Sequence, residues 1–157
     1  MQFREKQQKA FEKLVHKLTH APILAHYDSK KAVTSETDAS KYVTAGIISQ
    51  IGNDGFLRPI AFRFKSMSKS ECNYDVHDKE LLAIKLALED WRRYVKGSRQ
   101  RANILTDHEN LVPRMTKKRL NEREVPWKQF LSKFDFKIEY RPGKEWGKPD
   151  ATTRGPS

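Results

Sequence analysis

Apolar side chains recur at helical spacing over residues 74–95, which read YDVHDKELLAIKLALEDWRRYV. On a helix that turns about 100° per residue, the apolar residues fall within one arc: Leu81, Ile84, Leu88, Trp91 and Val95. Glu80 lies inside that arc, whereas the charged side chains from Lys79 to Arg93 lie outside it. The pattern predicts one amphipathic helix that places a carboxylate among its core residues, with Asp75 as N-cap and Asp78 as an acidic first-turn partner.

Strands are predicted on both sides of this helix. Residues 32–37 form a run of small and β-branched residues that leads into Asp38, and two more strand-like runs follow at 44–52 and 56–67. The short turn NDG between those two runs predicts an antiparallel meander. Residues 101–107 predict a strand with both faces covered, and residues 134–143 alternate as a final strand. Helical patterns precede, separate and follow these strands, at residues 4–22, 110–115 and 121–134, with the last helix starting near Pro126.

This order of elements predicts an α/β fold with a mixed sheet flanked by helices. A right-handed crossover through the long helix should return residues 101–107 parallel to the first strand. Both parallel strands then end in an aspartate, Asp38 and Asp107, at the sheet edge where sites of open α/β sheets gather. We therefore expect these two carboxylates to be neighbours, with Glu80 close to them.

Three carboxylates in a partly buried place raise one another's pKa values unless their charge is compensated. Oxygen-only ligation favours magnesium or manganese as the compensating ion. Each acid taken singly has another explanation, because an aspartate at a strand end is more often a turn or cap residue and an inward glutamate can pair with an arginine. The combined placement of Asp38, Glu80 and Asp107 favours the metal site.

Composition and charge indicate which class of partner to consider. The chain has 157 residues, the length of one typical domain, with 31 Lys and Arg against 20 Asp and Glu and a net charge of +11. Such a charge favours a polyanion such as nucleic acid, although many basic proteins bind none. Cys72 is the only cysteine, which excludes a disulfide framework and favours an intracellular protein. No apolar run approaches the roughly 20 residues of a membrane span, and residues 1–10 do not read as a secretory signal.

Several motifs, in order along almost the whole chain, resemble the ribonuclease H domain of the pol polyprotein of gypsy-type LTR retrotransposons. They are SETDASKYVTAGIISQ, YDVHDKELLAI, ILTDHENL, RLNEREVPWKQFLSKFDFKIEYRPGK and the final KPDATTR. The resemblance implies a ribonuclease H-like fold with a mixed five-stranded sheet, three antiparallel strands followed by parallel additions. It also implies two parts, a helical connection segment from the polymerase side over residues 1–25 and the ribonuclease H domain over residues 26–157.

The resemblance further implies an endonuclease that hydrolyses the RNA strand of RNA/DNA hybrids. By position, the family's catalytic and metal-binding carboxylates match Asp38, Glu80, Asp107 and Asp150. Two Mg²⁺ ions about 4 Å apart, with Mn²⁺ as a substitute, would be bridged by Asp38. Glu80 and Asp107 would hold the ion near the leaving 3′ oxygen, and Asp150 the ion that activates water, giving 5′-phosphate and 3′-hydroxyl ends. The domain would work with the polymerase domain of a reverse transcriptase, in cytoplasmic virus-like particles or in the nucleus.

Candidate nucleic-acid contacts come from the densest basic stretch and from two other motifs: Ser40, Lys117, Lys118, Arg119, Arg123 and Arg141. Two other functions stay open at this point. One is a catalytically silent module of the same fold that binds nucleic acid or a protein partner. The other is a nuclease of the same broad fold that acts on DNA. A cleavage test with DNA in place of the RNA strand would distinguish such a nuclease from a ribonuclease H.

Overall fold

The computed structural model describes residues 24–107 and 122–141, together with five isolated residues: Glu12, His16, His20, Glu109 and Leu111. The five strands in these ranges are β1 (Thr34–Ala39), β2 (Val43–Ile51), β3 (Leu57–Ser66), β4 (Ala102–Thr106) and β5 (Phe136–Tyr140). The helices are α1 (Lys69–Cys72), α2 (Val76–Asp90), α3 (Arg92–Gly97) and α4 (Glu124–Leu131). The expected helices at 4–22 and 110–115 lie almost entirely outside the described residues.

The strands form one mixed sheet in the order β3-β2-β1-β4-β5. The first three strands pair antiparallel through short connections, and β4 and β5 are added parallel to β1. The crossover through α2 thus returns the chain beside β1, and the predicted mixed five-stranded sheet is confirmed. A fold of this connectivity brings the carboxyl ends of β1 and β4 to the same edge of the sheet.

Helix α2 packs on one face of the sheet through Trp91 at its carboxyl end. A Cβ atom built on Gly46 of β2 would lie 3.1 Å from Cγ2 of Thr37 and 3.2 Å from the Trp91 ring, so only glycine leaves room for the indole. Thr37 therefore faces the helix. Because side chains alternate along a strand, Glu36 points toward the opposite face. Asp38 also starts on that face, but it lies at the carboxyl end of β1, where the Ala39 N–H bonds to both Asp38 and Glu80.

The long helical pattern is interrupted at its end. Asp75 caps α2 as predicted, accepting a hydrogen bond from the Asp78 backbone N–H. The expected continuous helix to Val95 is wrong, because Trp91 leaves helical geometry, with φ −106° and ψ 22°, and a separate short helix begins at Arg92. The Trp91 N–H still bonds to the Ala87 carbonyl, so the chain bends at the residue that anchors the helix to the sheet.

Helix α2 is buried on two sides rather than one. In addition to the predicted stripe, Asp78, Leu82 and Leu86 are buried, at intervals of four residues. Helix α4 packs near this side, where the rings of Tyr74 and Trp127 lie 5.9 Å apart. Helix α4 begins at Glu124, two residues earlier than predicted, and Pro126 falls in its first turn, where a missing N–H costs no helical hydrogen bond.

Candidate active site

Asp38 lies near the carboxyl end of β1 and is 1% exposed. Antiparallel pairing with β2, in register opposite Ala45, holds this end of the strand in place. The backbone N–H of Ala39 donates a hydrogen bond of 2.9 Å to Oδ1 of Asp38. The carboxylate is thereby fixed at the sheet edge rather than turned into solvent.

Glu80 approaches the same point from the first turns of α2 and is likewise 1% exposed. Its Oε1 atom accepts a hydrogen bond of 3.2 Å from the Ala39 N–H, the same group that bonds to Asp38. One backbone N–H therefore joins a carboxylate of the strand to a carboxylate of the helix. The position of Glu80 within the apolar stripe is explained, because that stripe is the side of α2 that meets the sheet.

Asp107 follows directly after β4, on the parallel neighbour of β1. The end of β4 is held on its other side by β5, because the Arg141 N–H donates a hydrogen bond of 2.8 Å to the Thr106 carbonyl. Asp38, Glu80 and Asp107, called the carboxylate cluster below, each offer an oxygen atom, and these atoms all lie within 4.8 Å of one another. The structure thus brings together three of the four acids expected at the site.

The cluster suits a divalent cation. Buried carboxylates at this spacing repel one another, and an ion with a double positive charge offsets that repulsion. All three donors are carboxylate oxygens, the ligands that Mg²⁺ prefers. Two oxygens on one Mg²⁺ at about 2.1 Å are at most about 4.2 Å apart, so a spacing within 4.8 Å needs only a small contraction to hold an ion.

The remaining predicted site residues divide into those that the structure describes and those that it does not. Asp150, Lys117, Lys118 and Arg119 lie outside the described residues. Ser40 lies two residues beyond Asp38, where its hydroxyl accepts a hydrogen bond of 3.0 Å from the Val43 N–H and donates one of 3.1 Å to the Val43 carbonyl. Its side chain closes the turn between β1 and β2, close to the cluster.

Both described arginines of the predicted set form ion pairs with acids. Arg123 donates from Nη1 to Oδ2 of Asp78 at 2.6 Å, and its side chain is 41% exposed. Arg141 donates from Nη2 to Oε2 of Glu139 at 3.2 Å, at the end of β5 beside the cluster. Each guanidinium is thus held by a carboxylate of this chain and has a defined direction.

The burial of two further acids near the cluster was not predicted from the sequence. Glu36 is buried on β1, two residues before Asp38, and the strand alternation alone could have shown that it shares the face of Asp38. Asp78 is fully buried in the first turn of α2. In the sequence, Asp78, Leu82 and Leu86 follow one another at intervals of four residues, which indicates a second buried side of the helix.

Comparison with known protein families places this geometry in context. The model of the "RNase H-like domain found in reverse transcriptase" matches residues 3–102. The Transposon Tf2-3 and Tf2-4 polyproteins of Schizosaccharomyces pombe are each 39% identical to the chain over 150 residues, which is 94% of this chain and 11% of the polyprotein. The chain therefore spans about a tenth of the length of these relatives.

Solved structures share the fold. The native prototype foamy virus protease-reverse transcriptase superposes with a TM-score of 0.66 and 16% identity, covering 92% of this chain and 19% of that chain. The foamy viral protease-reverse transcriptase in complex with RNA/DNA hybrid gives a TM-score of 0.59 and 21% identity, covering 93% of this chain and 20% of that chain. None of the helices in the described ranges combines the length and apolar composition of a bilayer span. By its sequence match and its fold, the chain belongs to the family of RNase H-like domains found in reverse transcriptases.

Proposed function

We propose that this domain hydrolyses the RNA strand of RNA/DNA hybrids, as the ribonuclease H of a gypsy-type retrotransposon reverse transcriptase. The observation that carries the proposal is the carboxylate cluster, in which three acids from β1, α2 and the end of β4 offer oxygens within 4.8 Å of one another. Asp38 and Glu80 share one backbone N–H, which holds a carboxylate of the strand and a carboxylate of the helix at the same point.

The chain's own groups define what the site would do. Asp38, Glu80 and Asp107 would hold two Mg²⁺ ions, or Mn²⁺ in their place, and Asp150 would complete the ligand set. When bound, these ions neutralise charge on the scissile phosphate and lower the pKa of the attacking water. The rigid anchoring of Asp38 on a buried strand and of Glu80 on a capped helix keeps these donors in place before substrate binds.

The hybrid is the favoured substrate for two reasons. The net charge of +11 suits a double-stranded polyanion, and a related fold of known structure, the foamy viral protease-reverse transcriptase, has been solved with an RNA/DNA hybrid. The 2′-hydroxyl is the group by which such a site would require RNA on the cut strand. Within the parent polyprotein, residues 1–25 would connect the domain to the polymerase, and cleavage would take place in cytoplasmic virus-like particles or the nucleus.

Phosphate contacts are assigned to Lys117, Lys118 and Arg119, with Ser40 beside the cluster and the outer edge of Arg141. Substituting one phosphate-contacting lysine should weaken hybrid binding and lower the slope of log K against log salt by about one. Lys30→Ala is the matched control, because Lys30 is exposed before the amino end of β1, away from Asp38. Equal salt slopes for Lys118→Ala and Lys30→Ala would remove the basic stretch from the interface.

The proposal is tested by cleavage of a hybrid labelled on the RNA strand, in Mg²⁺ and in Mn²⁺. Wild type should cut and Asp38→Asn and Glu80→Gln should not, whereas the control Glu89→Gln, an exposed change on the same helix, should cut like wild type. Hybrid binding is measured in parallel with Ca²⁺. Tight binding without cutting by wild type in either metal would favour the silent binding module, and equal cutting of a DNA duplex would favour a nuclease that acts on DNA.

A further inference from the structure

A second acid of α2 connects the catalytic helix to α4. Asp78 is fully buried, and its Oδ2 atom accepts a hydrogen bond of 2.6 Å from Nη1 of Arg123, the residue just before α4. The guanidinium carbon of Arg123 also lies 3.9 Å from the centroid of the Tyr74 ring. Arg123 thus contacts the beginning of α2 in two chemically different ways, a charge-assisted hydrogen bond and a cation–π contact.

Arg123 brings a positive charge to a junction at which two acids are buried. Asp78 and Glu124 are 0% and 1% exposed, and the guanidinium pairs with Asp78 at 2.6 Å. The Tyr74 ring packs in turn near Trp127 of α4, with centroids 5.9 Å apart. Two contacts therefore join the beginning of α4 to the beginning of α2, the polar pair of Arg123 with Asp78 and the aromatic pair of Trp127 with Tyr74.

Helix geometry transmits this attachment to the carboxylate cluster. Asp78 and Glu80 are two residues apart, which on a helix is a rise of about 3 Å and a rotation of about 200°. Asp78 therefore faces the α4 side while Glu80 faces the sheet edge. A contact that fixes Asp78 against α4 also fixes the rotation and height of the turn from which Glu80 reaches the Ala39 N–H.

We propose that Arg123 is a positioning residue of the metal site, which holds the first turn of α2 so that Glu80 stays aligned with Asp38 and Asp107. This inference deepens the proposed function, because it takes the carboxylate cluster as the metal site. A positioning role for Arg123 can be distinguished from a phosphate contact made by Arg123. Loss of a positioning residue changes metal affinity, whereas loss of a phosphate contact changes hybrid affinity and its salt dependence.

The test compares four variants of the full 157-residue chain with wild type: Arg123→Met, Arg123→Lys, Asp78→Asn/Arg123→Met and the control Arg101→Met. Arg101 forms an exposed ion pair of 3.0 Å with Asp135, so its substitution removes a paired arginine away from the helix. Three quantities are measured: Mn²⁺ affinity by calorimetry without nucleic acid, hybrid affinity in Ca²⁺ at several salt concentrations, and thermal unfolding in EDTA.

We expect Arg123→Met to bind Mn²⁺ about tenfold more weakly than wild type, the usual effect of losing a residue that orients metal ligands. Arg123→Lys should recover most of that loss, because an ammonium group can still pair with Asp78. Hybrid affinity and its salt slope should stay at the wild-type values, as should all quantities for Arg101→Met. If Arg123→Met does not fold, the double variant decides, because it removes the contact together with the buried charge of Asp78. It should show the same loss of Mn²⁺ affinity.

Unchanged Mn²⁺ affinity in folded Arg123 variants would overturn the positioning role. So would a reduced hybrid affinity and salt slope with normal Mn²⁺ binding, which would make Arg123 a phosphate contact. Either result leaves the proposed nuclease intact as long as wild type binds Mn²⁺ and cuts the hybrid. Failure of wild type to bind Mn²⁺ would instead contradict the proposed function, and the positioning role with it.

Discussion

Replacing Glu80 by glutamine separates the stability of the fold from the chemistry of the site. Glu80→Gln keeps the size of the side chain and an oxygen that can accept the Ala39 N–H, but removes one negative charge from the carboxylate cluster. We expect the variant to be more stable than wild type in metal-free buffer, because the charge it removes is repelled by two neighbours.

The structure bounds the size of this effect. Oxygens of Asp38 and Asp107 lie within 4.8 Å of a Glu80 oxygen, and two unit charges at that separation repel by about 3.5 kcal/mol at an effective dielectric constant of about 20. Uptake of a proton sets an upper limit on the total repulsion energy, because protonating a glutamate of ordinary pKa near pH 7 requires only about 3.7 kcal/mol. The free energy of unfolding should therefore rise by about 1–3 kcal/mol in Glu80→Gln near pH 7.

Urea unfolding in EDTA and in excess Mg²⁺ measures this prediction. Wild type should gain more stability from Mg²⁺ than the variant does, because only an intact ligand set binds the ion in the folded state tightly. Glu89→Gln is the matched control, since Glu89 lies on the same helix, is about half exposed and pairs with Lys85 at 2.8 Å. It should change stability by no more than about 0.5 kcal/mol. A Glu80→Gln variant that is less stable than wild type in EDTA, or that gains equally from Mg²⁺, would refute the reasoning.

Three further predictions concern the fold around the site. Gly46→Ala should lower the free energy of unfolding by about 1–3 kcal/mol, because the new Cβ meets Thr37 and Trp91 at 3.1 and 3.2 Å; wild-type stability by urea titration would contradict the packing. Leu88→Ala, at a fully buried position of α2, should lower it by about 2–5 kcal/mol in the same assay, and a loss below about 1 kcal/mol would place that side chain at the surface. Burial raises the pKa of Asp78 above its unfolded-state value, so its contribution is complete at low pH and is lost as pH rises through the folded-state pKa. Wild type should therefore lose stability relative to Asp78→Asn as pH rises from about 4 to 7 in thermal melts, and a constant difference would contradict the shift.

Much of the fold could be predicted from local sequence patterns, because the lengths and types of the connections determine how neighbouring strands pair. The short turns after Asp38 and Ile51 forced antiparallel pairing, and the single long helix before β4 allowed only a parallel return. The cluster was predictable for the same reason: Asp38 and Asp107 end neighbouring parallel strands, and Glu80 interrupts the apolar stripe of the helix that lies between those strands in the chain. No long-range information was needed for these three residues.

The features that were not predicted depend on contacts between distant parts of the chain. Asp78 is buried where it pairs with Arg123, which lies 45 residues away in the chain. A helical wheel that identifies one apolar face does not reveal a second face that packs against another helix. The Trp91 ring packs where Gly46 leaves space on β2, a contact that no property of the helix sequence encodes.

The most direct test of the account is a calorimetric titration of the metal-free chain with Mn²⁺, comparing wild type with Asp38→Asn and Asp135→Asn. Asp135 is exposed and forms a surface ion pair with Arg101. The control Asp135→Asn therefore makes the same chemical change away from the cluster. The account predicts that wild type and Asp135→Asn bind Mn²⁺ alike and that Asp38→Asn binds it at least about tenfold more weakly. Equal Mn²⁺ binding by Asp38→Asn and wild type would contradict the claim that Asp38, Glu80 and Asp107 form a metal site.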